Sequence, residues 1–539
     1  MNGTIFKDVR GYGIRTPDAP GLPGVDVRLW HEGSLISTTT SDSSGGYSFQ
    51  GLDPGSYEVE EVVSEGWTQT LPGCGPHQVT LTDKPAWHLD FGIVPPKPAA
   101  ISGAAALQPR TLMHFSIEEL RALKGAQESM PLAFISPQVK AFLGSSPGES
   151  FSLLNYLKYC PADRNQGWCG NCWVWGGTAL MEIDLAINKG IKDRLSIEYF
   201  TTRFGKVCCG GTLRYLASGY GVLGRAVPWS NANAQWLDGY TSCSREIVVP
   251  FNSISATPSY AFSSMEAQRV PTWEVGREEA IRNIKSMLKQ NKAVSFAFYL
   301  PTDSDWNRFF DFWDNRSESE VFNLDYACGK SWNKSQGAGH MVACVGYDDS
   351  DPSNRYWLMV NSWGTARGRP QGLFRLSMDM DYDCQYPLEG DDVLPAFWWD
   401  VLNITYPNYP PAIPDRPSGT SQGSTGYEYS YSTSAADPEG NMVRYLFDWG
   451  DGTTASTGLV GSGESASLSH AWESPGDYCI RVSASDDQGT SSAQSVPSRI
   501  AVRSPVMNQN NIRVGNLKTT GYGNGQATNN VYVAADQRR

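Results

Sequence analysis

Two cysteines stand in a C-x-x-C arrangement within the stretch NQGWCGNCWVW, at Cys169 and Cys172. This spacing suits two kinds of chemistry. It can be a redox pair, in which the first thiolate attacks and the second resolves, or a single nucleophile beside a structural cysteine. The spacing alone does not choose between them, so the residues around it must decide.

The sequence after Cys172 predicts a helix that begins at this residue. Apolar residues recur at helical spacing from Val174 to Ile187, and the pattern ends at Gly190. A thiol at a helix N-terminus lies at the positive end of the helix dipole, which lowers its pKa and favours the thiolate. Cys172 is therefore the better nucleophile of the two.

A catalytic thiolate also needs a proton carrier. Five of the six histidines lie in flanking regions or in a linker: His31, His77, His88, His114 and His470. His340, in the buried strand predicted from GAGHMVACVGY, is the remaining candidate. The next predicted strand, RYWLMVNSWG, delivers Asn361, whose amide can orient the imidazole, and Trp363, which can shield their contact from water.

Together these motifs resemble the papain-like cysteine peptidases. NQGWCGNCW matches the family's Q-G-x-C-G-x-C-W signature, GHMVACVGY its histidine strand and VNSWG its asparagine segment, in the family's order, over about residues 155 to 400. The resemblance implies that Cys172 attacks a peptide carbonyl while His340 carries the proton and Asn361 orients its ring. It also implies that Gln166 and the Cys172 backbone N–H stabilise the oxyanion, with Trp363 in a supporting role.

The same resemblance implies disulfides drawn from six cysteines: Cys169, Cys208, Cys209, Cys243, Cys328 and Cys384. Cys169 would take one of the two cysteines in CCGG and Cys243 the other, while Cys328 would pair with Cys384. The sequence leaves four more without an assigned partner: Cys74, Cys160, Cys344 and Cys479.

Residues 1–95 alternate between apolar and polar positions with frequent turn residues, as expected for short strands. GTIFKDVRGYGIRTPDAPGLPGVDVRLW and GGYSFQGLDPGSYEV resemble the SdrD B-like (Cna B-type) modules of microbial surface proteins. Such modules often bind calcium. Here Asp8 keeps the first ligand position, but Arg10 and Tyr12 replace the oxygen ligands expected next, so no metal site is predicted.

Residues 421–504 also read as strands, and DWGDG followed by a W-x-x-P-G-x-Y pattern resembles PKD domains, which are immunoglobulin-like sandwiches. The predicted fold class is therefore multidomain: an α+β papain-like core at 151–405 between two all-β sandwich modules. Residues 96–150 are a linker, with a short prosegment as the less favoured interpretation. Residues 406–420 are a second linker and 505–539 a disordered tail.

Composition narrows the possible partners and location. The 539 residues carry a net charge of -13, which argues against nucleic acid and anionic membranes as partners, and no apolar run is long enough to span a bilayer. Eleven cysteines favour an oxidising, extracellular or cell-surface location, although the chain shows no signal peptide. No cofactor is predicted.

The leading hypothesis is an extracellular cysteine endopeptidase that acts on polypeptides and whose sandwich modules bind cell-surface or matrix ligands. Two alternatives stay open: a surface adhesion protein with an inactive peptidase core, and a thiol-disulfide oxidoreductase that uses CGNC. A reductase would lose function on substitution of either Cys169 or Cys172, whereas a peptidase would lose catalysis only with Cys172.

Overall fold

The computed structural model describes residues 1–8, 13–64, 67–94, 111–145, 148–243 and 249–505. The chain divides into two compact units, Met1–Pro407 and Asn408–Arg539. Arg10 and Tyr12, which replace the expected calcium ligands, lie outside the described residues, as does the predicted tail from residue 506 onward.

In the described part of residues 1–94, the chain forms a sandwich of two four-stranded sheets. Its strands are β1 (Asn2–Lys7), β2 (Asp26–His31), β3 (Ser34–Thr40), β4 (Gly46–Ser48), β5 (Gly55–Glu61), β6 (Thr68–Leu71), β7 (His77–Leu81) and β8 (Phe91–Val94). One sheet has the order β4-β1-β8-β6 and the other β3-β2-β5-β7. Alternate residues such as Val27 and Leu29 are buried between the sheets, because successive side chains of a strand point to opposite faces.

This sandwich is bound to the helix-containing core that follows it. A disulfide joins Cys74 to Cys160, with their Cα atoms 6.0 Å apart. Thr80 of β7 pairs with Asn231 of the core in a parallel bridge, and Ala232 is buried within the sandwich's own apolar cluster. Residues 1–94 are therefore an integral part of the first unit.

Residues 111–145 contain α1 (Ile117–Glu128) and α2 (Pro137–Ser145), and both helices pack on the core. Ser116 caps α1 in a capping box with Glu119, since each side chain bonds the other residue's backbone N–H. Gln127 of α1 donates to the buried carboxylate of Asp400, and burial raises the pKa of Asp400 to about 7. This stretch is thus held against the core along its length.

The core consists of helices around one large sheet. Its elements are β9 (Ser150–Ser152), α3 (Cys172–Lys189), α4 (Ile197–Phe204), α5 (Leu213–Leu223), β10 (Arg225–Ala226), β11 (Tyr260–Ala261), β12 (Ser264–Arg269), α6 (Arg277–Lys289), β13 (Val294–Leu300), α7 (Asp303–Asn315), β14 (Val321–Phe322), β15 (Ala338–Asp348), β16 (Tyr356–Val360), β17 (Leu373–Ser377), β18 (Gln385–Pro387), β19 (Val393–Pro395) and β20 (Phe397–Thr405).

Within the described residues the large sheet has eight strands in the order β12-β20-β13-β15-β16-β17-β14, with β9 paired to β15. Helix α3 packs against β15 and is buried over most of its surface. In β15, His340 lies opposite Phe298 of β13. The start of α3 lies against the first residues of β15.

The second unit is a sandwich built from β21 (Gln422–Ser424), β22 (Glu428–Thr433), β23 (Val443–Asp448), β24 (Thr454–Ser456), β25 (Ala466–Ala471), β26 (Gly476–Asp486) and β27 (Ser498–Arg503). Its described strands form sheets in the orders β21-β27-β26-β23-β24 and β22-β25. Trp449, Trp472 and Ile480 lie in its apolar core. In neither unit does a helix among the described residues combine the length and apolarity needed to cross a bilayer.

Candidate active site

Cys172 is the first residue of α3, and its side chain is fully buried. The helix begins here because the backbone N–H groups of Val174 and Trp175 donate to the carbonyl of Asn171, the N-cap residue. The thiol lies against the backbone N–H of Met341, the residue that follows His340 on β15. The predicted nucleophile and the predicted proton carrier are therefore adjacent.

His340 is held in one orientation by two neighbours. Its Nε2 lies 2.8 Å from Asn361 Oδ1, and the Trp363 ring stacks on the imidazole at 4.4 Å between ring centroids. Because an amide oxygen can only accept, Nε2 carries the hydrogen of the neutral ring. Nδ1 makes no hydrogen bond with the described residues and is the atom available to receive a proton.

Trp363 is in turn fixed by aromatic side chains of α7. Rings of Phe309, Phe310 and Trp313 contact it at centroid distances of 5.6 to 5.8 Å. The run DWNRFFDFWDN therefore packs into the core behind the site. Its burial keeps water away from the bond between His340 and Asn361.

Gln166 is fully buried, and both ends of its amide are occupied. Its Oε1 accepts a hydrogen bond of 2.6 Å from Ser362 Oγ, which turns Nε2 toward the cleft. Nε2 donates to the carbonyl oxygens of Cys169 and Thr111, each at 2.8 Å. Sequence reasoning missed Ser362, although its position directly after Asn361 in VNSWG was a usable signal.

The carbonyl that Gln166 contacts belongs to a short stretch, Thr111–Phe115, which we call the cleft segment. Met113, in its middle, is fully buried. Its backbone N lies 2.9 Å from the Gly339 oxygen, and its backbone oxygen lies 2.8 Å from the Gly339 N. A Cβ at Gly339 would lie 2.8 Å from the Tyr299 ring and 3.3 Å from Met113 Cε. The glycine before the histidine thus leaves the room that Met113 fills.

Glycines also form the opposite wall of the cleft. A Cβ at Gly170 would lie 3.1 Å from the carbonyl oxygen of Leu112, and one at Gly210 would lie 2.9 Å from the Phe115 ring. The cleft segment therefore lies between two glycine-lined walls, with main chain close to main chain.

Burial shifts the pKa values of the predicted nucleophile and of the predicted proton carrier. Burial raises the pKa of the Cys172 thiol to about 12 and lowers the pKa of His340 to about 4, although the hydrogen bond to Asn361 opposes the second shift. Both groups are neutral in this arrangement. The lowering of the thiol pKa expected at the start of α3 is outweighed, because burial raises this pKa more than the backbone N–H groups of Met341, Trp173 and Cys172 lower it.

Four disulfides are present among the described residues: Cys74–Cys160, Cys169–Cys208, Cys209–Cys243 and Cys328–Cys384. The first of them joins two cysteines that the sequence left unassigned, because nothing local relates a sandwich loop to the core. Neither Cys344, which is buried, nor Cys479, which is partly exposed, forms a disulfide with another described residue.

Comparison with protein-family models identifies three modules in the chain. Residues 2–86 match the SdrD B-like domain, residues 156–390 the papain family cysteine protease and residues 408–502 the PKD domain. The three resemblances predicted from the sequence motifs are confirmed. The chain is multidomain, with β-rich modules on either side of a region of helices and sheet.

Curated relatives are similar to a short part of the chain. Serine-aspartate repeat-containing protein F of Staphylococcus epidermidis is 35% identical over 99 residues, which is 16% of this chain and 6% of that protein. Serine-aspartate repeat-containing protein D of Staphylococcus aureus (strain Newman) is 40% identical over 72 residues, or 13% of this chain and 6% of that protein. The chain thus spans a small part of the length of either relative.

Solved structures that are similar to part of the chain include PKD domains. The PKD domain of a peptidase from a Thermoplasmatales archaeon is 33% identical, with 18% of this chain and 98% of that chain covered and a TM-score of 0.17. A PKD domain of the Vibrio cholerae metalloprotease PrtV is 25% identical, with 17% and 98% covered and a TM-score of 0.13.

Proposed function

We propose that this chain is an extracellular cysteine endopeptidase with a papain-like α+β core, in which Cys172, His340, Asn361 and Gln166 carry the reaction. The match to the papain family cysteine protease supports a cysteine peptidase. The observation that carries the residue roles is that Gln166 Nε2 donates both to the carbonyl of Thr111 and to that of Cys169, three residues before Cys172. This donor is aimed at a peptide carbonyl next to a nucleophile, as an oxyanion hole requires.

The reaction follows from these positions. His340 Nδ1 takes the thiol proton, and the Cys172 thiolate attacks the carbonyl carbon of the substrate. The carbonyl electrons move to oxygen, where Gln166 Nε2 and the Cys172 backbone N–H stabilise the charge. The imidazolium then gives its proton to the leaving amine, and the C–N bond breaks. Water, deprotonated by Nδ1, attacks the thioester and releases the carboxylic acid and the thiol.

With the cleft segment in place, the proposed peptidase is inactive. A substrate carbonyl and the Thr111 carbonyl cannot both accept from Gln166 Nε2 at one position, so the cleft segment must leave before a peptide binds. We therefore assign residues 96–150 the role of a short prosegment rather than that of a plain connector. The other domain boundaries predicted above stay proposals.

The alternatives are weaker on specific grounds. A thiol-disulfide oxidoreductase needs both cysteines of CGNC as a redox pair. Cys169 is instead disulfide-bonded to Cys208, so Cys172 has no partner thiol within CGNC. An inactive adhesion protein would not need a His340 ring aligned by Asn361. The similarity of residues 2–86 to serine-aspartate repeat-containing proteins supports a further binding role for that module, and the four disulfides support an oxidising, extracellular location.

The test is labelling with a thiol-directed epoxide, followed by mass spectrometry of the adduct. The wild-type chain should react slowly at Cys172, because the cleft is covered. Met113→Arg, which places a charge where a buried apolar side chain lies, should dislodge the cleft segment and raise the rate at least about tenfold. The same chain should then cleave a peptide library.

Two controls accompany this test. Adding His340→Ala to the Met113→Arg chain should remove both labelling at Cys172 and peptide cleavage. Cys479, unbonded and partly exposed, reports the reactivity of an ordinary thiol in the same molecule. An adduct on Cys479 alone would favour the inactive adhesion protein, and one on Cys169 would favour the oxidoreductase.

A further inference from the structure

The N-terminal sandwich contacts the core along residues 160–168, the short stretch that carries Gln166. The first of these contacts is covalent, because Cys160 at the start of the stretch is disulfide-bonded to Cys74 of the sandwich. Two further contacts lie closer to Gln166. The proposed oxyanion donor is therefore approached by a stretch of chain that a second module holds.

The second contact lies in the middle of the stretch, at Asp163. Its Oδ1 accepts a hydrogen bond from the backbone N–H of Gly73 in the sandwich. Its Oδ2 accepts from Arg194 at 2.8 Å, and the side chains of both partners are nearly buried. Gly73 permits this approach, because a Cβ there would lie 2.4 Å from the Cβ of Ala162. The Asp163 carboxylate thus joins the sandwich to the core.

The third contact is made by Ile14, directly beside Gln166 in the sequence of the turn. Ile14 is buried, yet among the described residues it does not belong to the sandwich's own apolar cluster. A Cβ at Gly167 would lie 2.8 Å from Ile14 Cδ1, and one at Gly239 would lie 3.5 Å from Ile14 Cδ1 and Cγ2. The Ile14 side chain therefore fills a gap that two glycines leave in the core.

The same two glycines lie where one segment of main chain meets another. The backbone N–H of Trp168 donates to the Gly239 carbonyl at 2.7 Å. Gly167 has a φ of 65°, in the left-handed region that favours glycine, and a Cβ there would lie 2.0 Å from the Gly239 oxygen. Ile14 thus packs on the turn one residue after Gln166.

The core also holds Gln166 directly. The Gln166 backbone N–H donates to the Ser362 carbonyl at 2.8 Å, and the side-chain Oε1 accepts from Ser362 Oγ at 2.6 Å. Losing a sandwich contact should therefore shift the donor rather than release it. Because oxyanion stabilisation depends on the position of the donor, a small shift is enough to lower the turnover.

We propose that the N-terminal sandwich is a positioning element of the active site, which through Ile14 and Gly73 keeps residues 160–168 in the conformation that aims Gln166 Nε2 at the oxyanion. The catalytic half of this inference rests on the proposed function. Ile14 acts on Gln166 through Gly167, so it is a positioning residue. The sandwich then contributes to turnover in addition to any surface ligand that it binds.

The packing of Ile14 on the turn is tested in the full chain without any activity. Ile14→Ala empties the gap beside Gly167, so the backbone N–H of Trp168 should exchange with solvent about tenfold faster. Mass spectrometry of fragments covering residues 160–168 measures this rate. Val27→Ala, which removes apolar volume from the sandwich's own cluster, is the matched control and should leave the rate within about twofold.

The positioning role is tested in the Met113→Arg chain by separating the oxyanion donor from the nucleophile. Ile14→Ala should lower kcat about fivefold and leave KM within about twofold, because the oxyanion forms only after the peptide has bound. Alkylation of Cys172 by iodoacetamide should keep its rate, since that displacement makes no oxyanion. Ile14→Leu, which keeps the side-chain volume, should restore kcat to within about twofold, and Val27→Ala should leave kcat unchanged.

Gly73→Ala tests the second contact independently of Ile14. The added Cβ would collide with Ala162 and move the Gly73 N–H away from Asp163. In the Met113→Arg chain this substitution should lower kcat about threefold, with the alkylation rate of Cys172 again unchanged.

Unchanged exchange at Trp168 in Ile14→Ala would overturn the inference, because the turn would not depend on the sandwich. So would an alkylation rate that falls as far as kcat, since the effect would then act on the nucleophile, or an equal loss of kcat in Val27→Ala. If exchange rises as expected while the Met113→Arg chain neither hydrolyses peptides nor reacts at Cys172, the proposed function has failed, and the positioning role fails with it.

Discussion

The two β-sandwich modules share an architecture but differ in how they are attached. Residues 1–94 belong to the Met1–Pro407 unit, joined to the core by the Cys74–Cys160 disulfide and by buried contacts at residues 231–233. The PKD module lies in a separate compact unit with an apolar core of its own. A module recognised from sequence can thus belong to the same compact unit as its neighbour or form a unit of its own.

The largest difference in stability between the two units should appear when the Cys74–Cys160 disulfide is removed. Replacing Cys74 and Cys160 together by Ser frees a loop with a sequence separation of 86 and should destabilise the first unit by about 4 kcal/mol. Calorimetry of the oxidised chain should show the first unit unfolding earlier and the second unchanged. Cys479→Ser, at an unbonded cysteine of the second unit, should change either transition by less than about 0.5 kcal/mol. An unchanged first transition in the double variant would refute covalent support from this bond.

The reverse experiment removes apolar volume from the PKD module. Ile480 is fully buried there, and Ile480→Ala should cost about 3 kcal/mol through lost burial and the cavity left behind. The second transition alone should move, and epoxide labelling of Cys172 should keep its rate. Val496→Ala, at an exposed valine of the same unit, is the matched control and should have almost no effect. A shift of both transitions would mean that the two units unfold together.

A smaller loss of stability is expected when the side-chain amide of Asn233, at the boundary between sandwich and core, is removed. Asn233 accepts from the backbone N–H of Trp87 and donates to the carbonyls of Pro85 and Ser253. It also has a φ of 63°, a conformation that asparagine tolerates better than alanine. Asn233→Ala should therefore destabilise the first unit by about 2 kcal/mol and speed hydrogen exchange across residues 77–94.

Asn441→Ala is the counterpart in the second unit. The Asn441 side chain donates to Asn408 Oδ1 and is only partly buried, so its loss should cost no more than about 1 kcal/mol. Equal costs for the two substitutions would mean that the Asn233 contacts do not bind the sandwich to the core.

The difference between the two sandwich modules also explains which features could be predicted from the sequence. The three modules were predicted correctly because each leaves a local pattern, such as WCGNCW, VNSWG or DWGDG, that does not depend on the rest of the chain. The roles of Cys172, His340, Asn361 and Gln166 stay predictions, although the structure brings these residues together. Local motifs thus predict which modules are present better than how they are joined.

The features that were missed join residues far apart in the sequence. Cys74 and Cys160 are separated by a linker and a helical stretch, so neither carries a sign of the other. Met113 lies in the cleft because Gly339, more than two hundred residues later, leaves room for it. Complementary shape between distant segments has no periodicity, and pattern reading does not detect it.

The smallest expected difference between the two units concerns their stability at acidic pH. His77, at the start of β7, is buried, its Nε2–H donates to the Asp90 carbonyl at 2.8 Å, and burial lowers its pKa. The unfolded chain takes up a proton at the ordinary pKa of about 6.5, whereas the folded chain does so only at a lower pH. Stability present above pH 6.5 is therefore lost as pH falls toward the folded-state pKa of His77.

His77→Gln should remove this slope from the first transition when unfolding is followed by calorimetry across that range. His470→Gln, at a partly exposed histidine of the second unit, should leave the slope of the first transition in place. If both variants keep the wild-type slope, the acid sensitivity of the first unit does not come from the sandwich.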